Sequence, residues 1–182
     1  LHELIPGLYL AFSDSHDASG NGGIDKLRTW DEKKFTHIIR VSYDVDLFVH
    51  GTREQCLTDT NDNSREEEAV HLLRLCTTGR ADCPAKNHPT LTPIQLLAAR
   101  DFLSLAMPYT HPDEEYQESH GGDEVQVLIV APQDFAAPTN TTSRADILAI
   151  AVCYLAFASG NRVETVLQYI QEEEEVNEIW RG

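Results

Sequence analysis

Val125-Gln-Val-Leu-Ile-Val-Ala131 is an almost unbroken apolar run, followed by the twelve residues Pro132 to Ser143, all but Phe135 polar, small or proline, and then by Arg144 and Ala145 at the head of an apolar stretch. A run of this length and composition predicts a strand in the middle of a sheet covered on both faces. Ser143-Arg-Ala-Asp146 reads as a capping box with Asp146 in place of the usual glutamate, so a helix starts here and runs apolar through Phe157 to a stop at Gly160. A strand that passes through a loop into a helix N-terminus turns backbone N–H groups and the positive helix end toward an anion.

Working outward, Thr92 to Tyr109 reads as an amphipathic helix. Thr92 is its cap, Pro93 its first helical residue, and Ile94, Leu97, Phe102 and Leu105 its buried face. Val70 to Leu75 is a strand, and Phe35-Thr-His-Ile-Ile-Arg-Val-Ser42 is a buried central one. Leu4 to Ala11 turns at Pro6-Gly7, which predicts two short edge strands tightly joined. Ile24 to Trp30 reads as a short helix after the Gly20-Asn-Gly-Gly23 break, and residues 51–69 read as polar loop. Val163 to Gln171 is a second amphipathic helix with Val163, Val166, Leu167 and Ile170 on its buried side, and Glu172 to Glu175 is a solvated face. Strands alternating with helices predict one α/β layered domain over residues 1–182, with a mostly parallel central sheet flanked by helices.

Composition narrows the function. Thirty acidic against fourteen basic residues give a net charge of −16, so the field of the protein repels nucleic acid and anionic membrane surfaces. The expected partner is a protein, phosphorylated or carrying basic patches. No apolar run is long enough to span a bilayer and no signal-peptide pattern opens the chain, so a soluble cytoplasmic or nuclear protein is expected. The chain starts at Leu1 rather than Met, which suggests a piece of a longer protein.

No metal and no cofactor are expected. Cys56, Cys76, Cys83 and Cys153 are read as free thiols in a reducing compartment, and their spacing does not suit zinc. Asp59-Thr-Asn-Asp-Asn-Ser64 resembles a calcium loop superficially, but Ser64 stands where glycine is needed and Val70 where glutamate is. The glycines at 20–23 lack nucleotide-loop spacing, and Ser13-Asp-Ser-His-Asp17 is a polar loop, because triad members meet through the fold rather than by adjacency. Asn140-Thr-Thr142 fits a glycosylation acceptor pattern that matters only in a secreted chain.

Ile5-Pro-Gly-Leu-Tyr-Leu10, Phe35 to Ser42 and Tyr154-Leu155, in this order and spacing, resemble segments of the dual-specificity phosphatases, and the resemblance covers nearly the whole chain. In that family the phosphate loop begins His-Cys at the strand end, crosses five residues including glycine, and ends Arg-Ser at the helix. The matching positions here are Val130, Ala131, Arg144 and Ala145, so only the arginine survives.

A methyl group cannot replace a thiolate that forms a covalent phospho-intermediate. No other cysteine substitutes, because the residues six positions after Cys56, Cys76, Cys83 and Cys153 are Asp62, Asp82, Pro89 and Ser159, none of them arginine. The family's general acid lies just beyond the strand matching Val70 to Leu75. Here Cys76-Thr-Thr78 follows it, and Asp82, the nearest carboxylate, is either a displaced acid or an ordinary loop aspartate.

The loop contains no glycine and two prolines, which removes both backbone freedom and N–H donors. Either Asp134 or Asp146 occupies the former anion site and pairs with Arg144, next to Ser143, or Arg144 is simply a first-turn helical residue. The resemblance therefore implies a catalytically inactive pseudophosphatase that acts as a protein-binding or scaffold domain. Two alternatives stand beside it: a phosphoprotein reader that retains Arg144-dependent binding, and an active phosphatase with a rearranged site.

Overall fold

The structure, a computed structural model, describes residues 1–14, 27–44, 51–57, 69–78, 90–107, 125–133 and 141–172. Strands β1 (His2–Ile5) and β2 (Leu8–Asp14) open the chain, and β3 (Thr29–Trp30) and β4 (Lys33–Lys34) form a separate hairpin. Strands β5 (His37–Asp44), β6 (Gly51–Leu57) and β7 (Val70–Thr78) precede helix α1 (Pro93–Ala106). Strand β8 (Val127–Gln133) then leads to helices α2 (Thr141–Ser159) and α3 (Val163–Glu172).

The main sheet has six strands in the order β1-β2-β8-β5-β7-β6. The four inner strands are mutually parallel, and β1 and β6 run antiparallel at the two edges. The α/β class and the mostly parallel sheet thus agree with the sequence reading.

Pleating assigns alternate residues to opposite faces. On one face Leu8, Leu10, Ile39, Val41, Leu73, Leu75, Val127, Ile129 and Ala131 join the core formed with the three helices. On the other, Tyr9, Ala11, Ile38, Leu72, Leu128 and Val130 pack with Leu27 and Phe35. Burial on both sides explains why β8 carries no polar residue between Val127 and Ala131. From α2, Ile147 and Ile150 are fully buried, each worth about 1.5–3 kcal/mol of apolar transfer. Gly160, at φ +66°, ends α2 where a left-handed residue is required.

Several sequence expectations are corrected. The first strand pair is not two edges: β1 is an edge strand, whereas β2 is interior and pairs with β8. Residues 51–57 are a strand, because the free side of β7 offers a ladder of backbone partners that outweighs their polar composition. Within 24–30, Leu27 and Arg28 are helical and Thr29–Trp30 is a strand, turned back to β4 by Asp31 and Glu32 at φ 54° and 67°.

Helix α1 is rotated relative to its predicted face. Ile94, Leu97 and Leu105 are exposed, at 76%, 45% and 84%, while Gln95, Ala99, Phe102, Leu103 and Ala106 are buried. Gln95 sets this rotation, since its Nε2 donates to the carbonyls of Cys76 at 2.8 Å and Gly51 at 3.1 Å. In α3, Val166 and Ile170 are buried as expected, but Val163 is exposed. The calcium-like segment 59–64, the glycines at 20–23 and Cys83 lie outside the described residues.

Candidate functional site

Strand β8 lies between β2 and β5, so the chain leaves β2 on one side of it and returns as β5 on the other. In open α/β sheets the crevice at the carboxyl end of such a strand is where ligands bind. Helix α2 is the next element of the chain after β8.

Val130 and Ala131 do not mark the end of β8. The strand continues to Gln133, with Ala11 paired to Val130, Phe12 to Ala131, Ser13 to Pro132 and Asp14 to Gln133. Both residues are 1% exposed, and Ala131 belongs to the core under the helices. The methyl group at this position is a packing element inside the sheet.

Arg144 and Ala145 occupy the first turns of α2 and are half-buried, and Ser143 is placed at the start of the same helix. Asp134 and Asp82 lie outside the described residues. Asp146 is fully buried, and its carboxylate accepts from four donors. Oδ2 accepts from the Tyr43 hydroxyl at 2.8 Å and the Thr90 hydroxyl at 2.6 Å, and Oδ1 from the backbone N–H groups of Thr90 at 2.5 Å and Leu91 at 3.2 Å. A buried carboxylate is tolerable only when its lone pairs are used in this way.

Asp146 is the centre of a larger polar hub. The Thr77 hydroxyl, at the end of β7, donates to the carbonyl of Thr90 at 3.3 Å. Thr92 and Gln95 form a reciprocal capping box, with the Gln95 N–H donating to the Thr92 hydroxyl at 3.3 Å and the Thr92 N–H to Gln95 Oε1 at 3.0 Å. Gln95 in turn reaches β6 and β7 through Gly51 and Cys76. Segment Thr90–Gln95 thereby joins β5, β6, β7, α1 and α2 at the carboxyl end of the sheet. Sequence reasoning missed Tyr43, Thr90 and Gln95. The Thr92-x-x-Gln95 spacing was a readable capping signal, but nothing local announced that Asp146 would meet Thr90.

The described thiols Cys56, Cys76 and Cys153 are free. Burial pushes the Cys153 thiol above its usual range, and the neighbouring Arg100 partly opposes this, so it is not an activated nucleophile. Cys76 Sγ accepts from the Ser42 hydroxyl at 3.2 Å. Among the described residues no group of three or more His, Cys, Asp or Glu could hold a metal ion.

At the opposite, amino end of the sheet His37 and His71 stack with centroids 4.8 Å apart, and Phe102 meets His37 edge-on at 5.6 Å. Burial, with a smaller contribution from the charge of His71, lowers the pKa of His37. The pair lies far along the strands from the β8 crevice and takes no part in it.

The chemistry at the carboxyl end is thus that of a joint. Hydroxyls and amides converge on one carboxylate, and among the described residues no cysteine stands at the end of the central strand. No family model, curated protein or solved structure matches the chain in comparisons with known proteins.

Proposed function

We propose that this chain is a catalytically inactive phosphatase-like domain, a pseudophosphatase of dual-specificity phosphatase fold that works by binding another protein. The observation that carries this reading is the burial of Ala131 inside β8, at the position where the resemblance asks for a nucleophilic cysteine. The central placement of β8 and the position of Arg144 in the first turn of the following helix support the same reading. The acidic charge of −16 favours a partner with basic patches.

A second reading keeps the domain as a phosphate reader. It is favoured by the half-buried Arg144 at a helix N-terminus, where an anion is stabilised.

The deciding experiment is calorimetric titration with vanadate and with a phosphotyrosine peptide, comparing wild type with Arg144→Ala, alongside an aryl phosphate hydrolysis assay. A scaffold shows no turnover and no heat that depends on Arg144. Saturable, Arg144-dependent binding without turnover selects the phosphate reader, and turnover that exceeds the buffer blank overturns both.

A further inference from the structure

The main sheet ends at β6, and among the described residues no strand pairs with its outer edge. Register fixes which way its side chains point. Glu54 is the direct partner of Leu73 and Thr52 of Leu75, so these two and Cys56 stand on the face that carries the helices. All three are exposed, so the helices stop short of β6. Arg53, opposite Arg74, which is itself opposite Arg40, emerges on the other face and is exposed as well. When the Gln55 amide is turned with its oxygen toward Arg53, it accepts from Nε at 3.3 Å and Nη2 at 3.0 Å, which holds that guanidinium beside the strand.

Helix α1 forms a wall beside this edge. It packs on β7, and α2 packs on β8 and β5, on the side of α1 away from β6. Toward α2, Cys153 Sγ donates to the Leu96 carbonyl at 3.9 Å and the Arg100 guanidinium lies 4.7 Å over the Phe157 ring. Helical periodicity puts Ile94, Ala98, Asp101 and Leu105 on the opposite flank, toward β6. Ile94 and Leu105 are 76% and 84% exposed. Asp101 is met by Arg100, so the flank is mainly apolar. It runs about 16 Å, the length of about five residues of strand. A shelf thus follows β6, with Glu54 on its floor and an apolar wall above.

We propose that this shelf takes an extended segment of another protein, added to β6 as an antiparallel strand. A basic residue of the segment stands opposite Glu54, an acidic one opposite Arg53, and apolar ones lie against Ile94 and Leu105. The inference names a surface for the protein-binding reading above and rests on it. Unpaired backbone groups make an edge strand a template for a further strand, and charges along the edge block indiscriminate pairing. Here the charges also select. Among the described residues neither Glu54 nor Arg53 has an ion-pair partner, and opposite charges directly across a ladder stabilise it while like charges do the reverse. A second copy does not supply the match. Two copies of β6 paired antiparallel about a two-fold axis, in one continuous sheet, place odd residues opposite odd and even opposite even, so Arg53 never meets Glu54. A foreign segment in which a basic residue is followed directly by an acidic one supplies both pairs, because antiparallel order reverses that of Arg53-Glu54.

The test is an amide-resolved NMR titration of the chain, at about 0.15 M salt, with the end-blocked peptide Thr-Val-Thr-Lys-Glu-Val-Thr and with the same peptide carrying its Lys and Glu exchanged. The expected result is saturable shifts centred on Gly51–Leu57 and on the flank of α1 that carries Ile94 and Leu105, with the exchanged peptide bound at least about threefold more weakly. The double variant Arg53→Glu/Glu54→Arg, changed only at exposed positions and so keeping the fold, reverses the preference. Absence of saturable binding, equal affinity for the two peptides, a preference unchanged in the double variant, or shifts confined to other parts of the sheet would each overturn the proposal. Concentration-dependent broadening of the β6 amides without peptide would give the edge to a second copy and overturn it too. Aryl phosphate turnover would sink the inactive-phosphatase reading and leave the peptide result standing, and a failed peptide titration would leave that reading standing.

Discussion

The carboxylate of Asp146 in α2 accepts the hydroxyl of Tyr43 in β5 at 2.8 Å, across 103 positions of sequence. The same carboxylate holds Thr90 and Leu91, so three segments distant in the chain are tied at one buried point. Its role is to fix how the segment before α1 seats against the carboxyl end of the sheet.

Replacing Asp146 by alanine should therefore be among the most damaging single changes in the domain. It strands the N–H groups of Thr90 and Leu91 and two hydroxyls, and unmet buried donors at about 1–3 kcal/mol each place the total at about 3 kcal/mol or more after relaxation. Tyr43→Phe removes a single donor and should cost about 1 kcal/mol. Urea unfolding of the two variants measures both, and the expected order is Asp146→Ala well below Tyr43→Phe.

Gly7 should not tolerate alanine. Its φ is +81°, and an added Cβ would lie 2.9 Å from the carbonyl oxygen of Val125, a backbone atom that cannot swing away. The Gly7 carbonyl also accepts from the N–H of Val127 at 2.8 Å, so relief by backbone movement would disturb the start of β8. Gly7→Ala should cost at least about 1 kcal/mol in strain alone, read as a lowered midpoint in thermal unfolding.

The His37–His71 stack gives stability a pH dependence of definite sign. The folded-state pKa of His37 lies below its ordinary 6.5, first through burial and second through the charge of His71. The unfolded chain therefore binds the proton more readily than the fold does. The contribution is fully present above pH 6.5 and is lost as pH falls from there toward the lowered folded value. His37→Phe, which keeps a ring against Phe102, should flatten this part of the profile when urea midpoints are compared between about pH 7.5 and pH 5.5.

On the proposed reading, a cysteine placed at position 131 should not create phosphatase chemistry. Ala131→Cys places sulfur inside a strand at a position 1% exposed, among core side chains. Burial in apolar surroundings raises a thiol's pKa and blocks access to it. The variant should show no aryl phosphate hydrolysis, and its added thiol should react with an aromatic disulfide reagent only in denaturant.

Particular residues show how far local pattern reached. The Thr92 cap, the Pro93 start and the Gly160 stop were readable because capping is decided within one turn of chain. The buried face of α1 was not. Its true stripe contains Gln95, which counts as polar in any periodicity, and its burial follows from two carbonyls contributed by β6 and β7. Strand β6 was hidden for a related reason, since an edge strand takes its conformation from the ladder it joins and has little need of an apolar sequence.

What the sequence by itself determined was the class of the fold, the continuous apolar character of the central strand and the absence of a thiol at position 131. Each depends only on residue type and spacing along the chain. What only the tertiary structure decided was which residues meet: Asp146 with Tyr43 and Thr90, His37 with His71, and three arginines in one row. Those meetings depend on strand order and register, which are set by packing between segments far apart in the chain and leave no mark within any one of them.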